Sequence, residues 1–528
     1  MMMIRIAVVL LIAVAYAASL EQFQLTAEQC HNLYNNWLEA GVIKSLDQSL
    51  TKQNYGVLPA MNFMKARDLI KKTEIFQLIQ QIPKGAALHV HHKAMVDGEW
   101  VYNATFRENL YIQDVDGRLR LHFFGKHDSS WQLLSQIRTL QRDDTLEKRI
   151  RGEMTMIVLN PEEMYPNSDA AWSKFQRVFK FLRPFLNYRP LAEDHFYQGL
   201  LEFYEDNVMY MEVRSGLSNL YDLNGRIYNT IETAGIFQEV ANRFKREHPD
   251  FIGAKIIYSK SKRMGKAKLK SFLDEAIELK RIYPEFIAGV DLVGRENPAI
   301  QLNDYYELLS EAEKHIDFFF HAGETQLNDG TVSSSNVDAA IRHHSKRIGH
   351  AYSLSKEIQI IREFKKKNIP VEVCPISNQV LGLVKDLYNH QASVLFALDI
   401  PVVISSDDPG MWGAKGLSYD FYETYVAIME YRASFHSLKK IAKDSIIYSV
   451  LSADEKVKAL KTIDEKWDQA IRNHINFACN HQIFRVTRNP EYVHLELLII
   501  NNYRSLNWSP NFHWEWVPSV MPWEKSRR

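Results

Sequence analysis

Hydrophobic positions along this chain gather into short runs, each followed by a polar, loop-like stretch and then by residues spaced as on a helix. Eight such runs read as strands: 86–91, 208–214, 255–258, 287–293, 317–321, 347–349, 370–374 and 401–405. From the second run onward, stretches with apolar residues at helical spacing, such as 269–281 and 356–367, separate one from the next. That alternation predicts an α/β fold, and eight repeats of it predict a (β/α)8 TIM barrel. The interval 92–206 is far too long for one strand–helix unit, so an insertion after the first barrel strand is expected, with a small extra lobe over about 100–165. Residues 18–80 read as an amphipathic helical segment ahead of the barrel, which itself takes 81–480. Past 480 the chain carries Trp508, Trp514, Trp516 and Trp523 among prolines without a helical period. The tail 481–528 therefore reads as an irregular strap on the barrel, with an aromatic ligand-binding tail as the alternative.

Composition narrows the classes. With 528 residues, 46% of them hydrophobic, the chain has material for a large core and more than one barrel needs. Lys plus Arg and Asp plus Glu number 64 each, so no overall charge favours nucleic acid or an anionic membrane. The local basic run 260–270 reads as a solvated helix face, with a glycan or other polyanion contact as the alternative. At the N-terminus Arg5 precedes the apolar stretch 6–14, and Ala15-Tyr16-Ala17 has the small-x-small form of a cleavage site. Residues 1–17 are thus expected to be a signal peptide, the mature protein secreted, and no segment membrane-spanning. Asn103-Ala104-Thr105 is a glycosylation sequon that fits the same route. Three cysteines, Cys30, Cys374 and Cys479, argue against a disulfide framework; Cys374, in a strand run, reads as a small core residue.

The chemistry sits at the ends of the runs. His89 and His91, His321-Ala322-Gly323-Glu324, His350 and Asp407-Asp408 each close an apolar run just before a loop. Strand C-termini in a parallel barrel converge on one face, where catalytic groups collect. Three imidazoles with a carboxylate suit one Zn²⁺ per chain, and the remaining Glu, His and Asp are the residue types that move protons beside a metal. Singly each piece is weak: a His-x-His pair is often structural, and an Asp pair before Pro409 is often a turn or cap. Gly323 is more specific, since it lets the backbone turn sharply between two useful side chains.

Several stretches resemble a known family. They are Ile82-Pro83-Lys84-Gly85-Ala86-Ala87-Leu88-His89-Val90-His91, together with 202–208, 319–325, 372–381, 403–409 and 416–423. The chain resembles the adenosine deaminase-related growth factors, the extracellular branch of the adenosine deaminase family, over nearly everything from 20 to about 475. The resemblance implies zinc on His89, His91, His321 and Asp407, and Glu324 as the proton donor to N1 of a purine. It also implies that His350 orients the attacking water, Asp408 holds N7, and the backbone of Gly294 faces N3. It further implies a purine nucleoside substrate and a homodimer paired through the segment ahead of the barrel. Cytidine-type deaminases need a Pro-Cys-x-x-Cys ligand segment, which this chain lacks.

Three departures from the pattern fall on the sugar side, and none on the metal or the proton-moving groups. Where relatives carry Asp after the second zinc histidine, this chain has His92. Trp172-Ser173-Lys174-Phe175 is kept, but Gln176 replaces the expected Glu, and Ser261 stands where a His is expected. Ile348-Gly349-His350 is followed by Ala351 instead of Gly, and the insertion lacks the cysteine pair of relatives. Trp172, His92, Gln176 and Ser261 are the expected sugar-side contacts. Three functions stay open: a secreted deaminase of adenosine or 2′-deoxyadenosine, a weak or inactive extracellular factor on the same fold, and a deaminase of another adenine compound.

Overall fold

The computed structural model of the chain describes residues 56–480 apart from 126–127, 141–143, 297–300, 326–329 and 432, with 32, 35–36, 38–39, 44, 52, 484–486 and 495–497 besides. The expected signal peptide, most of the segment 18–55 and nearly all of the tail lie outside the described residues. Contacts divide the chain into Asn35–Arg472 and a second unit of Met1–Tyr34 with Asn473–Arg528. In the second unit, Phe484–Val486 pairs antiparallel with Leu495–Leu497.

Eight parallel strands organise the larger unit. They are β1 Gly85–His91, β2 Val208–Ser215, β3 Gly253–Ser261, β4 Ile287–Val293, β5 His321–Ala322, β6 Ile348–His350, β7 Val371–Val373 and β8 Val402–Ile404. They form two four-stranded parallel sheets, β1-β2-β3-β4 and β5-β6-β7-β8. Single parallel bridges continue the pairing, Val290 to Phe318 on one side and Val90 to Asp407 on the other. All eight runs seen in the sequence are here. The fifth shrinks to two strand residues because 317–319 meet β4 through one bridge only, with Val290 N donating to Asp317 O and Phe319 N to Val290 O. Helices such as Thr230–Glu247, Lys266–Ile282 and Ile358–Lys367 cover the strands, which are therefore buried along nearly their whole length.

Between β1 and β2 the chain builds a three-stranded antiparallel sheet from Leu110–Val115, Arg118–Phe123 and Gln132–Leu133, inside the expected lobe. The helix Ser168–Leu186 follows, and its start is fixed near the strand ends. Ser168 Oγ donates to Leu381 O at 2.9 Å, and Asp169 pairs with Arg295 at 2.5 Å. Upstream, helices Phe63–Ile70 and Glu74–Gln81 start from Asn62 and Thr73 caps. Phe63 and Phe76 turn inward, their ring centroids 5.1 and 4.6 Å from that of Tyr419. The run 260–270 is not a uniform solvated face. Lys260 and Ser261 end β3, and Lys262 is buried with Nζ donating to His321 O at 3.2 Å. The strand extends further than its apolar letters, so the lysine is carried inside.

Candidate metal and catalytic centre

Period-two geometry places His89 and His91 on the same side of β1. His321 begins β5, His350 ends β6, and Asp407 follows β8. Two glycines make room: a Cβ on Gly349 would lie 2.9 Å from His89 Cε1, and Gly323 turns the chain at φ +78°. Three non-glycine residues here hold left-handed backbone, His350 at φ +62°, Ala351 at +40° and Asp407 at +59°. Each such conformation costs an L-residue about 1–2 kcal/mol, and strain of this kind gathers at functional sites.

The side chains converge on one point. His89 Nε2 lies 3.0 Å from His321 Nε2 and 3.4 Å from Asp407 Oδ1, which is 3.1 Å from His91 Nε2. His350 Nε2 is 3.6 Å from Glu324 Oε1 and 3.8 Å from Asp407 Oδ2. Ligand atoms of His89, His321, His350 and Asp407 lie within 4.8 Å of one another, as do those of His91, Asp407 and Asp408. The proton positions say what such a cluster wants. His89 Nδ1 meets Glu372 Oε2 at 2.8 Å and His321 Nδ1 meets Asp291 Oδ2 at 2.5 Å. A carboxylate can only accept, so both Nδ1 atoms carry a proton, and Nε2 is the atom each ring turns toward the other. His350 Nε2, Asp407 Oδ1 and Asp408 Oδ1 are buried without a hydrogen-bond partner. Facing imidazole nitrogens and orphaned carboxylate oxygens are the donor set of a divalent cation. The residues fit a metal.

Electrostatics divides the acids by task. Burial would raise Asp407, but the imidazoles of His89 and His91 hold it well below the usual carboxylate range, so it is an anion. Burial, and then the Asp407 charge, push Glu324 and Asp408 well above that range, leaving both neutral and able to donate. Burial lowers His91, drives His321 down to about 3 and drives His350 well below its ordinary value. His89 moves the other way: burial and Arg214 oppose protonation, but its Asp407 and Glu372 contacts outweigh them, and a cation at Nε2 would take that proton's place.

Behind the cluster lies an ionic network that the sequence reading missed. Arg214 Nε donates to Asp291 at 2.7 Å and its Nη2 to Glu372 at 2.6 Å. Arg347 Nε donates to Glu372 at 2.7 Å and its Nη2 to Glu212 at 2.6 Å. All five side chains are fully buried. Ser377 Oγ donates to Asp407 Oδ2 at 2.7 Å. The available signal was a charge in the middle of a strand run, as in Val371-Glu372-Val373 and Ile287–Val293 with Asp291. A charge there has to be paired inside the protein.

The expected sugar-side residues are not brought together in the same way. The His92 ring packs on His195, Phe196 and Phe237, with centroids 5.4, 5.5 and 4.7 Å away. Its Nδ1 lies 3.3 Å from Ser215 Oγ. Gln176 and Ser261 are exposed, and Trp172 is buried on the helix Ser168–Leu186 with its ring edge against Phe175. Gly294 stands just beyond β4 at φ +97° with open space where a side chain would be.

Comparison with known proteins places the chain in a family. The adenosine deaminase family pattern matches residues 157–466. Adenosine deaminase 2-A of Danio rerio is 39% identical over 425 residues, covering 78% of this chain and 84% of that protein. Adenosine deaminase 2 of Homo sapiens is also 39% identical, over 78% of this chain and 83% of that protein. Among solved structures, the N6-methyl-AMP deaminase of Arabidopsis thaliana superposes with a TM-score of 0.51 at 16% identity, covering 75% of this chain and 99% of that one. An adenine deaminase of Arthrobacter aurescens gives 0.51 at 16% identity, over 73% of this chain and 99% of that one, so both share the fold. Carrying the family pattern over more than half its length and these relatives over most of theirs, the chain belongs to the adenosine deaminase family.

Proposed function

We propose that this protein is a zinc-dependent adenosine deaminase, converting adenosine or 2′-deoxyadenosine with water to inosine or deoxyinosine and ammonia. The scaffold is a closed (β/α)8 barrel, a reading supported by the two bridges that carry pairing from sheet to sheet. The observation that carries the function is the convergence of His89 Nε2 and His321 Nε2, 3.0 Å apart, beside Asp407 and a neutral Glu324. His89, His91, His321 and Asp407 would hold zinc, which suits nitrogen and carboxylate donors. Bound there, zinc supplies the Lewis acidity that makes water a nucleophile near neutral pH.

The chain's own groups do the rest. Glu324, neutral and buried, donates its proton to N1 and makes C6 a better electrophile. His350 orients the incoming oxygen through Nε2, which is buried without a hydrogen-bond partner. Asp408 is held protonated, as it must be to donate to N7, a ring nitrogen with only a lone pair to offer. The backbone of Gly294 faces N3. The water oxygen adds to C6; one of its protons restores the one Glu324 gave to N1, the other passes to the amino nitrogen, and the C6–N bond breaks to release ammonia. Loss of the adenine absorption band, with one ammonia per inosine formed, tests the reaction; zinc-loaded protein that forms neither refutes it.

A second reading concerns the substrate. His92 packs among aromatic rings and Gln176 and Ser261 are exposed, which supports weak grip on the ribose hydroxyls or preference for another adenine compound. A micromolar KM for adenosine, below that of other adenine compounds, would count against it. We further propose a secreted homodimer. Support comes from the N-terminal sequence signal and the helical segment ahead of the barrel; among the described residues no helix is long and apolar enough to cross a membrane. Sizing of the mature chain tests the dimer.

A further inference from the structure

Two buried polar residues outside the centre, Asn378 and His390, have no part in the chemistry above. Asn378 lies on the buried helix Pro375–Val380 and His390 in the loop before the helix Ala392–Ala397. Both are almost fully buried, and the His390 ring is held edge-on by Tyr352 at 5.3 Å. We propose that His390 and Asn378 are positioning residues that fix the tautomer of His350, so that His350 always presents an Nε2–H to the reacting oxygen.

The argument starts from a donor whose role is not open to choice. The backbone N–H of Ala392 donates to His390 Nδ1 at 3.0 Å, so that nitrogen must carry a lone pair. Burial drives the His390 pKa down to about 3, so the ring is neutral and its single proton sits on Nε2. His390 Nε2 donates to Asn378 Oδ1 at 2.9 Å, which fixes the amide's orientation. Its nitrogen then points the other way, and Asn378 Nδ2 donates to His350 Nδ1 at 3.3 Å. With a lone pair on Nδ1, neutral His350 carries its proton on Nε2, the atom 3.6 Å from Glu324 and 3.8 Å from Asp407. One backbone N–H thus sets the proton on a catalytic imidazole through two side chains. Flipping the Asn378 amide would set two donors against each other at His390, so the opposite tautomer is disfavoured. The relay complements the other histidines: carboxylates put protons on Nδ1 of His89 and His321, freeing Nε2 to bind metal, while an amide keeps Nδ1 of His350 bare and makes its Nε2 a donor.

Asn378→Asp has nearly the same shape but inverts the logic. A carboxylate still accepts from His390 but also demands a proton from His350 Nδ1, leaving Nε2 a lone pair. Turnover should then fall by about 100-fold or more, with KM changed less than about threefold and zinc content unchanged. His390→Leu removes the donor that orients the amide and should also lower kcat, whereas His390→Gln, whose amide can donate to Asn378, should recover most of it. Neutron diffraction from deuterium-exchanged, zinc-loaded crystals reads the tautomer directly. The relay predicts a deuteron on His350 Nε2 in the wild type and on Nδ1 in Asn378→Asp. A wild-type deuteron on Nδ1, or wild-type turnover by a folded Asn378→Asp protein, overturns it. The role given to His350 rests on the deaminase reading, but the neutron result does not: an inactive wild type would sink that reading and leave the relay to be decided by the deuterons.

Discussion

Glu372 ties the candidate metal centre to the buried arginines behind the strands, and Glu372→Gln tests both ends of that link. Its Oε2 accepts from His89 Nδ1 at 2.8 Å and from Arg214 at 2.6 Å, and its Oε1 accepts from Arg347 at 2.7 Å. A glutamine keeps the shape but has one oxygen. Turned one way, its NH₂ confronts Arg347; turned the other, it confronts Arg214 and His89. Either orientation sets a donor against a fully buried guanidinium, and breaking a buried ion pair from one side costs about 3–5 kcal/mol. Zinc affinity should fall separately, by about tenfold to a hundredfold or roughly 1.4–2.7 kcal/mol, because His89 loses the carboxylate that fixes its tautomer and raises its basicity. Denaturant unfolding of the chelator-treated protein reads the first effect, and competition against a zinc-binding dye reads the second. Unfolding free energy within about 0.5 kcal/mol of wild type, with unchanged zinc affinity, would refute the reasoning; that range is ordinary for a surface substitution.

Other perturbations probe other groups. Glu324→Gln should keep zinc and fold but lower turnover by about 10²–10⁴-fold, because an amide cannot release a carboxylic proton to N1. In the wild type, whose Glu324 is raised well above the ordinary range, activity should fall as pH rises through that raised value, and a rate that climbs instead would assign the proton elsewhere. Glu423 is fully buried, and burial raises its pKa to about 8. Between roughly pH 4.5 and 8 the unfolded side chain is ionised while the folded one stays protonated, so stability present at low pH is lost by up to about 1.4 kcal/mol per unit as pH rises. Glu423→Gln should remove that slope in chemical denaturation. Ala351→Gly should stabilise the fold by about 0.5–1 kcal/mol, since Ala351 sits at φ +40°; the strain relieved exceeds the extra flexibility given to the unfolded chain. A less stable glycine variant would contradict that estimate.

What could be read from the sequence was what repeats or what must be apolar. Strands such as 208–215 and 287–293 are buried on both faces, so they appear as plain hydrophobic runs. His89, His91, His321, His350 and Asp407 were legible because unusual residue types stood at equivalent strand ends. Contacts between distant parts of the chain were not. Nothing local ties Glu372 to His89 or, through Asn378, His390 to His350, since only the folded chain brings them together. The packing of His92 was equally hidden: it depends on a socket built by Phe196 and Phe237 more than a hundred residues away. Lys262 escaped for the opposite reason, because a lysine among lysines looks like surface until the strand carries it under His321.

The central claim is that one metal held by these histidines and Asp407 makes the chain a deaminase. The most direct measurement is the rate of adenosine deamination by protein stripped with a chelator and then titrated with zinc. The account predicts no turnover in the stripped protein and a linear recovery that levels off at one zinc per chain, with His89→Ala failing to recover at any zinc level. Full activity in stripped protein, or no activity at one bound zinc per chain, would contradict it.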